Sequence, residues 1–556
     1  MSPPLHPRWG RPIQLYSGTS HANQCTLSVD HELAGLQALQ KVSQFATEGY
    51  MSTAENSEHN IDLSTLQSAL LLTSDSATFR HLANPPVVSG CIQLMKTVNC
   101  QSLGVASPLS YEYGYICFKL LVAALNSCLL RSWDMLDELL ATRENLPKHN
   151  VDIMILAKLC EGVVRQIFLG ENGGSDGWPL GWSESVSHRP RKPLLPKSDI
   201  STLLDLVWHD RNLFLPVLLR GDSTEWGLTG LFLFFLRYIA RERNERNRAW
   251  KDINTRVYEL ALRYLLVAHG SQREPVLYII DSTICSNRWP NTPKHIDEAD
   301  SRMIATAFID LMSKPDSSGF LHSRGPGVLL CLVPHCIDQR ALDVLPVVLR
   351  STIKYGWLRI INLRNAEELK SFVSSFFGPL HILLCPPHDG PPRKLPAATI
   401  RTQIIDIFYD NDLLDLTARA IIQLDPKLTQ IEEVLRIITS FYENLAQFGA
   451  TSDLESHFKD YVPMWHRFNN HLHQVLTTCC TGTSTPAKSE NQGHYYLCMR
   501  TWLEIAQYLG LKNIIFANDK INCFSGRCPA YGIGSVRFGC AHCGNARYCD
   551  ERCQAV

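Results

Sequence analysis

The sequence predicts a mainly α-helical chain folded as an irregular array of helices, of armadillo- or HEAT-like general character. Three observations carry that expectation. Apolar residues recur every three or four positions along most of residues 25–515. Alternation of period two is scarce, so strands are a minor element. Many of the helical segments are apolar on more than one face, which requires neighbours on both sides. No fixed repeat with recurring signature residues runs through them, so the array is irregular rather than a consensus solenoid.

Element by element, the spacing predicts a first helix over 30–46, where Leu33, Leu36, Leu39, Val42 and Phe45 share a face and Asp30 stands ready to cap the start. Helices over 62–72, 87–98, 110–129, 151–168 and 200–218 follow. The most apolar stretch, Trp226 to Leu236, is followed at once by Arg237, Arg241 and Arg243. It is about half the ~20 residues a bilayer span needs, so 226–243 reads as a buried helix and no membrane partner is expected. Ile253, Val257, Leu260 and Tyr264 mark 250–267, and Ile431, Val434, Ile438, Phe441 and Leu445 mark 431–445. Further helices are expected over 299–313, 338–353, 366–378, 400–424, 454–476 and 495–509.

Three segments interrupt the pattern. Residues 170–198 carry GENGGSDG and HRPRKPLLPK, too rich in Gly and Pro for a regular element. Residues 385–396 (CPPHDGPPRKLP) read as a stiff linker, and Thr477–Gly493 as a polar loop. The expected organisation is an N-terminal extension (1–29), helical blocks over 30–169, 199–384 and 397–515, and a separate terminal unit over 521–556.

Composition limits the function. With 556 residues, 45% hydrophobic and 19% charged, the chain is neither disordered nor fibrous. A net charge of −1 supplies no field for nucleic acid or an anionic membrane. Met1 to Pro12 contains Arg8, Trp9 and Arg11 but no apolar core of a signal peptide, so an intracellular, reducing location is expected, nucleus and cytoplasm being equivalent on this ground.

Cysteine is the informative residue. Thirteen of the 19 are scattered over residues 1–522, as small apolar side chains such as Cys117, Cys160 and Cys331. The other six form three pairs at the C-terminus: Cys523-x4-Cys528, Cys540-x2-Cys543 and Cys549-x3-Cys553. Such spacings let two thiolates reach one metal from a knuckle or a helical turn, the usual arrangement for Zn²⁺. The first and third pairs are 20 residues apart, close to the ~15–20 typical between the halves of a Cys₄ site. The second and third have only five residues between them. The spacing therefore favours an interleaved arrangement in which Cys523, Cys528, Cys549 and Cys553 close one site. Cys540 and Cys543 begin a second. His542 lies inside the Cys540–Cys543 knuckle and is poorly placed to join it. A closed Cys₄ site is structural, with no open position for catalysis.

The run from Cys540 to Gln554, with its C-x2-C, Tyr548-Cys549 and Cys553-Gln554, resembles a MYND-type zinc finger. Cys523 and Cys528 stand where that family places its first pair. The approach segment Thr501–Ile505 and the loop 518–522 are similar to those of uncharacterised fungal proteins with a helical body and a C-terminal MYND finger. The resemblance implies a crossed-brace fold and recognition of a protein or short Pro- and Leu-containing peptide, with Gln554 among the peptide-contacting residues. MYND fingers continue past Cys-Gln with an aromatic residue and a His-x3-Cys pair; here the sequence stops at Val556. The second site is thus two ligands short, through truncation or through a second zinc that is lost or weakly held.

Other constellations read as ordinary structure. A SET-type lysine methyltransferase, the enzymatic alternative, needs a cofactor turn and an Asn-His core; Phe468-Asn469-Asn470-His471 is the nearest approach and lacks both partners. His457, His466, His471 and His473 recur without acidic or cysteine companions. Asp406, Asp410, Asp412 and Asp415 lack the Gly and final Glu of a calcium loop. Cys479-Cys480 read as a loop pair, and Arg241–Arg248 as an exposed helix end. No phosphate loop, dinucleotide fingerprint or nucleophile elbow is present. From Ile521 onward the excess of two arginines is cancelled by the −2 charge of a Cys₄–Zn²⁺ centre, so nucleic acid is not an expected partner. The expected protein is a non-enzymatic interaction scaffold with structural zinc and no catalytic residues, or one whose degenerate finger serves the fold alone.

Overall fold

A computed structural model describes residues 5–16, 27–48, 61–100, 105–141, 148–171, 193–219, 227–283, 292–313, 319–384, 396–427, 430–480 and 486–518, with 538–539, 547–548 and 551. The chain divides into two compact units. The first takes Met1–Pro290 with Lys294–Ala307, and the second takes Asn291–Pro293 with Phe308–Val556. Both are mainly helical, and the named strands among the described residues form two-residue ladders.

The first unit begins with α1 (Val29–Glu48), α2 (Leu63–Leu71), the single turn α3 (Ser76–Phe79) and α4 (Pro85–Thr97). Ser28, not Asp30, starts α1: its carbonyl accepts the Glu32 N–H and its hydroxyl faces the His31 N–H at 3.3 Å. Asp30 sits one step inside, in the first turn, where a carboxylate favours the positive end of the helix. Asp62 caps α2, accepting the N–H of Thr65 at 2.8 Å. α4 lies so close to α1 that a Cβ at Gly90 would meet the Val42 carbonyl oxygen at 2.1 Å. Only glycine fits there.

A short antiparallel ladder, β1 (Asn99–Cys100) with β2 (Val105–Ala106), precedes α5 (Glu112–Ser132). Of the 21 residues of α5, 18 are buried, all except Lys119, Arg131 and Ser132. It packs against α2 and α4 and is the hub of the unit. By length and composition α5 passes for a membrane span, yet 94% of its apolar window is buried inside the protein. That makes it a core helix.

α6 (Leu136–Ala141) and α7 (Lys148–Glu171) lead to α8 (Lys197–His209) and α9 (Arg211–Leu219). The single helix expected over 200–218 is thus broken. Asp210 leaves helical geometry and sends its carboxylate to the Leu109 N–H at 2.7 Å, trading helix continuity for an anchor 101 residues away. α10 (Thr229–Asn244) is the buried helix expected from the apolar run, with Phe232, Phe234 and Phe235 in the core and Arg241 and Arg243 in its last turn. α11 (Trp250–Leu265) and α12 (Arg273–Thr283) pack on it, and α13 (Glu298–Ser313) spans the division between units.

In the second unit the short helices α14 (Gly325–Leu329) and α15 (Val333–Cys336) precede α16 (Leu345–Ile361) and α17 (Ala366–Leu384). α16 starts later than the expected 338, because Gln339–Val344 forms 3-10 turns and Pro346 suits a first helical turn. The helix expected over 400–424 is two, α18 (Ala398–Asp410) and α19 (Leu413–Ile422), separated at Asp412, whose φ is 54°. α20 (Ile431–Phe448) packs on α17, and α21 (Thr451–Phe458) on α18. α22 (Val462–Cys480) and α23 (Pro486–Tyr508) form a hairpin, followed by α24 (Lys512–Asn518). The 454–476 expectation is split because Lys459–Tyr461 tightens to a 3-10 turn ahead of Pro463. An aromatic chain fills this core: Phe376 meets Phe377 at 5.0 Å, and Phe377 and Phe408 reach Phe441 at 5.7 and 5.8 Å.

Candidate metal centre

The route to the cysteine-rich terminus is anchored by the α22–α23 hairpin. Trp465 and Trp502 stack with planes 10° apart, and each indole N–H points at the other's carbonyl oxygen at 3.4 Å. Phe468 meets Trp502 edge-on at 4.7 Å. Trp502 and Ile505, both in the approach segment singled out from the sequence, are fully buried. Gly510, at φ 76°, turns the chain toward α24, and Leu511 just before that helix and Ile515 within it are buried.

Past α24 the described backbone is a hairpin ladder, β3 (Phe538–Gly539) pairing antiparallel with β4 (Arg547–Tyr548). Phe538 faces Tyr548 and Gly539 faces Arg547. Cys523, Cys528, Cys540, Cys543, Cys549, Cys553 and Gln554 lie outside the described residues, as does His542. Their sequence neighbours are nevertheless informative. Cys540 is the next residue after β3 and Cys549 the next after β4. The antiparallel register puts those two exits at opposite ends of the ladder. Among the described residues no group of three or more His, Cys, Asp or Glu is disposed to hold a metal. Three closely spaced cysteine pairs are the donor chemistry that suits Zn²⁺, a borderline-soft ion that accepts tetrahedral sulfur.

The remaining candidates have structural partners. His457 pairs with Asp406 at 2.9 Å and also bonds the Asp453 carbonyl at 2.7 Å. His466 is buried beside Trp465, while His471 and His473 lie further along α22. Phe468–His471 is the interior of that helix. Asp415 accepts the Tyr461 hydroxyl at 2.7 Å, and Asp412 is raised above the usual carboxylate range by burial and by Asp415 and Asp410. Arg241 pairs with Glu245 on the surface. The loop expected over Thr477–Gly493 is shorter: Cys479 and Cys480 end α22 and Pro486 starts α23, while the side chains of the two cysteines lie outside the described residues.

Two buried groupings went unforeseen. On α11, the fully buried Arg263 donates to both oxygens of Asp300 at 2.7 and 2.9 Å and to the Lys294 carbonyl at 2.7 Å. Glu259, one turn earlier, lies 3.4 Å from both Arg263 and Arg211. Burial raises Glu259 while the two guanidiniums oppose that rise. The signal was present: Glu259 and Arg263 interrupt the apolar face of α11 at i,i+4 spacing. On α23, Cys498 lies 3.7 Å from His494. Burial pushes the thiol up to about 12 and lowers the imidazole, so both are neutral and the pair is no activated nucleophile.

No protein-family model matches the chain, and no curated protein is similar enough to count as a relative.

Proposed function

We propose that this chain is a non-enzymatic, intracellular interaction scaffold whose C-terminal segment is a zinc-held finger of MYND type. The observation that carries the reading is the three cysteine pairs, C-x4-C, C-x2-C and C-x3-C, within residues 523–553. Cys523, Cys528, Cys549 and Cys553 hold one zinc, and Cys540 with Cys543 begin a second site. Zinc supplies folding free energy that so short a segment lacks, on the order of 10–16 kcal/mol for structural sites. The helical units, read as an armadillo- or HEAT-like array, offer broad surfaces to a protein partner. The finger offers Gln554 to a short Pro- and Leu-containing peptide.

Metal analysis of the purified chain tests the reading. About one tightly held zinc per molecule is expected from the four-thiolate closed site. No zinc at all would sink the proposal. Cys549→Ser is expected to release that zinc, and full retention would overturn the crossed assignment. The methyltransferase alternative predicts binding of S-adenosylmethionine, so a flat calorimetric titration is the expected result.

A further inference from the structure

The first unit contains a peptide complex made within one chain. Residues 5–16 cross the N-terminal end of α5 as a compact linear segment whose internal structure is a His6–Gly10 bridge and one 3-10 turn. It completes the core helix. The Arg11 carbonyl accepts the Glu112 N–H at 2.8 Å and the Trp9 carbonyl accepts the Tyr113 N–H at 3.1 Å. Both N–H groups belong to the first turn of α5 and have no partner inside the helix.

Each side chain of the segment is read separately. Glu112 is a buried carboxylate, its side chain 3% exposed, at the positive end of a 21-residue helix. Arg11 meets it in a two-point fork, Nε to Oε2 at 3.0 Å and Nη2 to Oε1 at 3.1 Å. Gln67 lies 3.4 Å from the same carboxylate. Trp9 is buried edge-on to Tyr113 at 5.1 Å, and Tyr16 meets Tyr115 in the same way at 5.3 Å. Ile13 is buried. Gly10 holds φ 76°, and a Cβ there would sit 3.0 Å from Leu63 and 3.1 Å from the Glu112 carboxylate. Pro12 bridges to Tyr111.

We propose that the α2–α5 surface around Glu112 is a peptide-recognition site for the pattern Trp-Gly-Arg-Pro-Ile, filled here by the chain's own residues 5–16. The same segment of a second copy can replace it. The selectivity is chemical. A buried carboxylate demands a guanidinium, since the two-point fork matches its geometry and a lysine makes only one contact. The aromatic walls take Trp9 and Tyr16, and the left-handed position admits only glycine without strain.

The test is a full-length chain carrying a protease site within residues 17–26, folded first and cut afterwards. A fluorescent peptide of residues 5–16 is expected to exchange into the cut protein. The Arg11→Ala peptide is expected to bind roughly tenfold or more weakly, because it leaves Glu112 buried and unpaired. Failure of the wild-type peptide to bind, or equal binding by both peptides, overturns the proposal. If the cut chain precipitates, hydrogen exchange on the uncut chain decides. A separable segment opens locally, so Arg11→Ala in the uncut chain speeds exchange of the Glu112 and Tyr113 amides while leaving those of Leu120–Leu125 unchanged. No change at Glu112 and Tyr113, or an equal change along all of α5, would show that the segment is inseparable from the core and would overturn the site.

Discussion

The two units bury their interiors by different means. In the first, α11 carries Arg263 and Glu259 into the core and joins them to Asp300 and Arg211. In the second, the space between α17, α18 and α20 is filled by Phe376, Phe377, Phe408 and Phe441, with one hydroxyl contact, Tyr442 to Thr417 at 2.7 Å. A charged cluster is intolerant of losing one member, because the partner left behind stays buried and unpaired. An aromatic cluster is intolerant of losing volume. Two units of similar helix content are therefore sensitive to different substitutions.

The sharpest way to break this comparison is Arg263→Ala, expected to destabilise the first unit by about 3–5 kcal/mol while leaving the second unchanged. Hydrogen exchange resolved on peptides from each unit measures it, and equal loss in both would contradict the division. Arg263→Lys retains charge but loses the fork and is expected to fall between wild type and Ala. Phe441→Ala is the mirror experiment, costing the second unit roughly 3–5 kcal/mol with no salt or pH dependence.

A pH prediction separates the units further. Burial pushes Asp210 up to about 6, although the Leu109 N–H and the Ser107 hydroxyl favour its charged form. Between the ordinary carboxylate pKa near ~4 and this raised value, the folded state holds a proton that the unfolded chain releases. Stability of the first unit therefore falls as pH rises through that window, by about 1–3 kcal/mol, and Asp210→Asn removes the slope. Melting the wild type and variant at both ends of the window checks the sign. The smallest effect is expected from His457→Ala. Its surface contact with Asp406 is worth about 1 kcal/mol or less, and less again in high salt.

Helix existence was largely legible in the sequence, since the periodic apolar stripes of α10, α11 and α20 largely sit where their buried residues fall, whereas on α1 Leu39 and Val42 are buried and Leu33 is exposed. Helix ends were not. Asp210 and Asp412 break expected helices because of a distant N–H and a left-handed backbone, neither of which leaves a periodic trace. The N-terminal extension was read from residues without helical period, and its docking depends on a carboxylate far along the chain. The cysteine spacing raises the expectation of a metal from sequence alone, because ligand spacing is a local property, and the six cysteines themselves lie outside the described residues. Arg263 was harder, since a buried guanidinium looks in sequence like any charge on a helix until its partner Asp300 is known.

The cap that Trp9 and Arg11 place on α5 joins positions 101 residues apart in the case of Arg11 and Glu112. During synthesis the segment is made before its helix and waits for it, for roughly 5–20 s at about 5–20 residues per second. Throughout that interval the aromatic and apolar side chains of the segment lack the α5 surface that buries them, and α5, once made, has 18 of its 21 residues to bury. Closing this long loop is slow compared with forming any single helix. Vulnerability of the newborn chain is therefore concentrated before residue 112 is made, and a chaperone that shields residues 5–16 would protect it most.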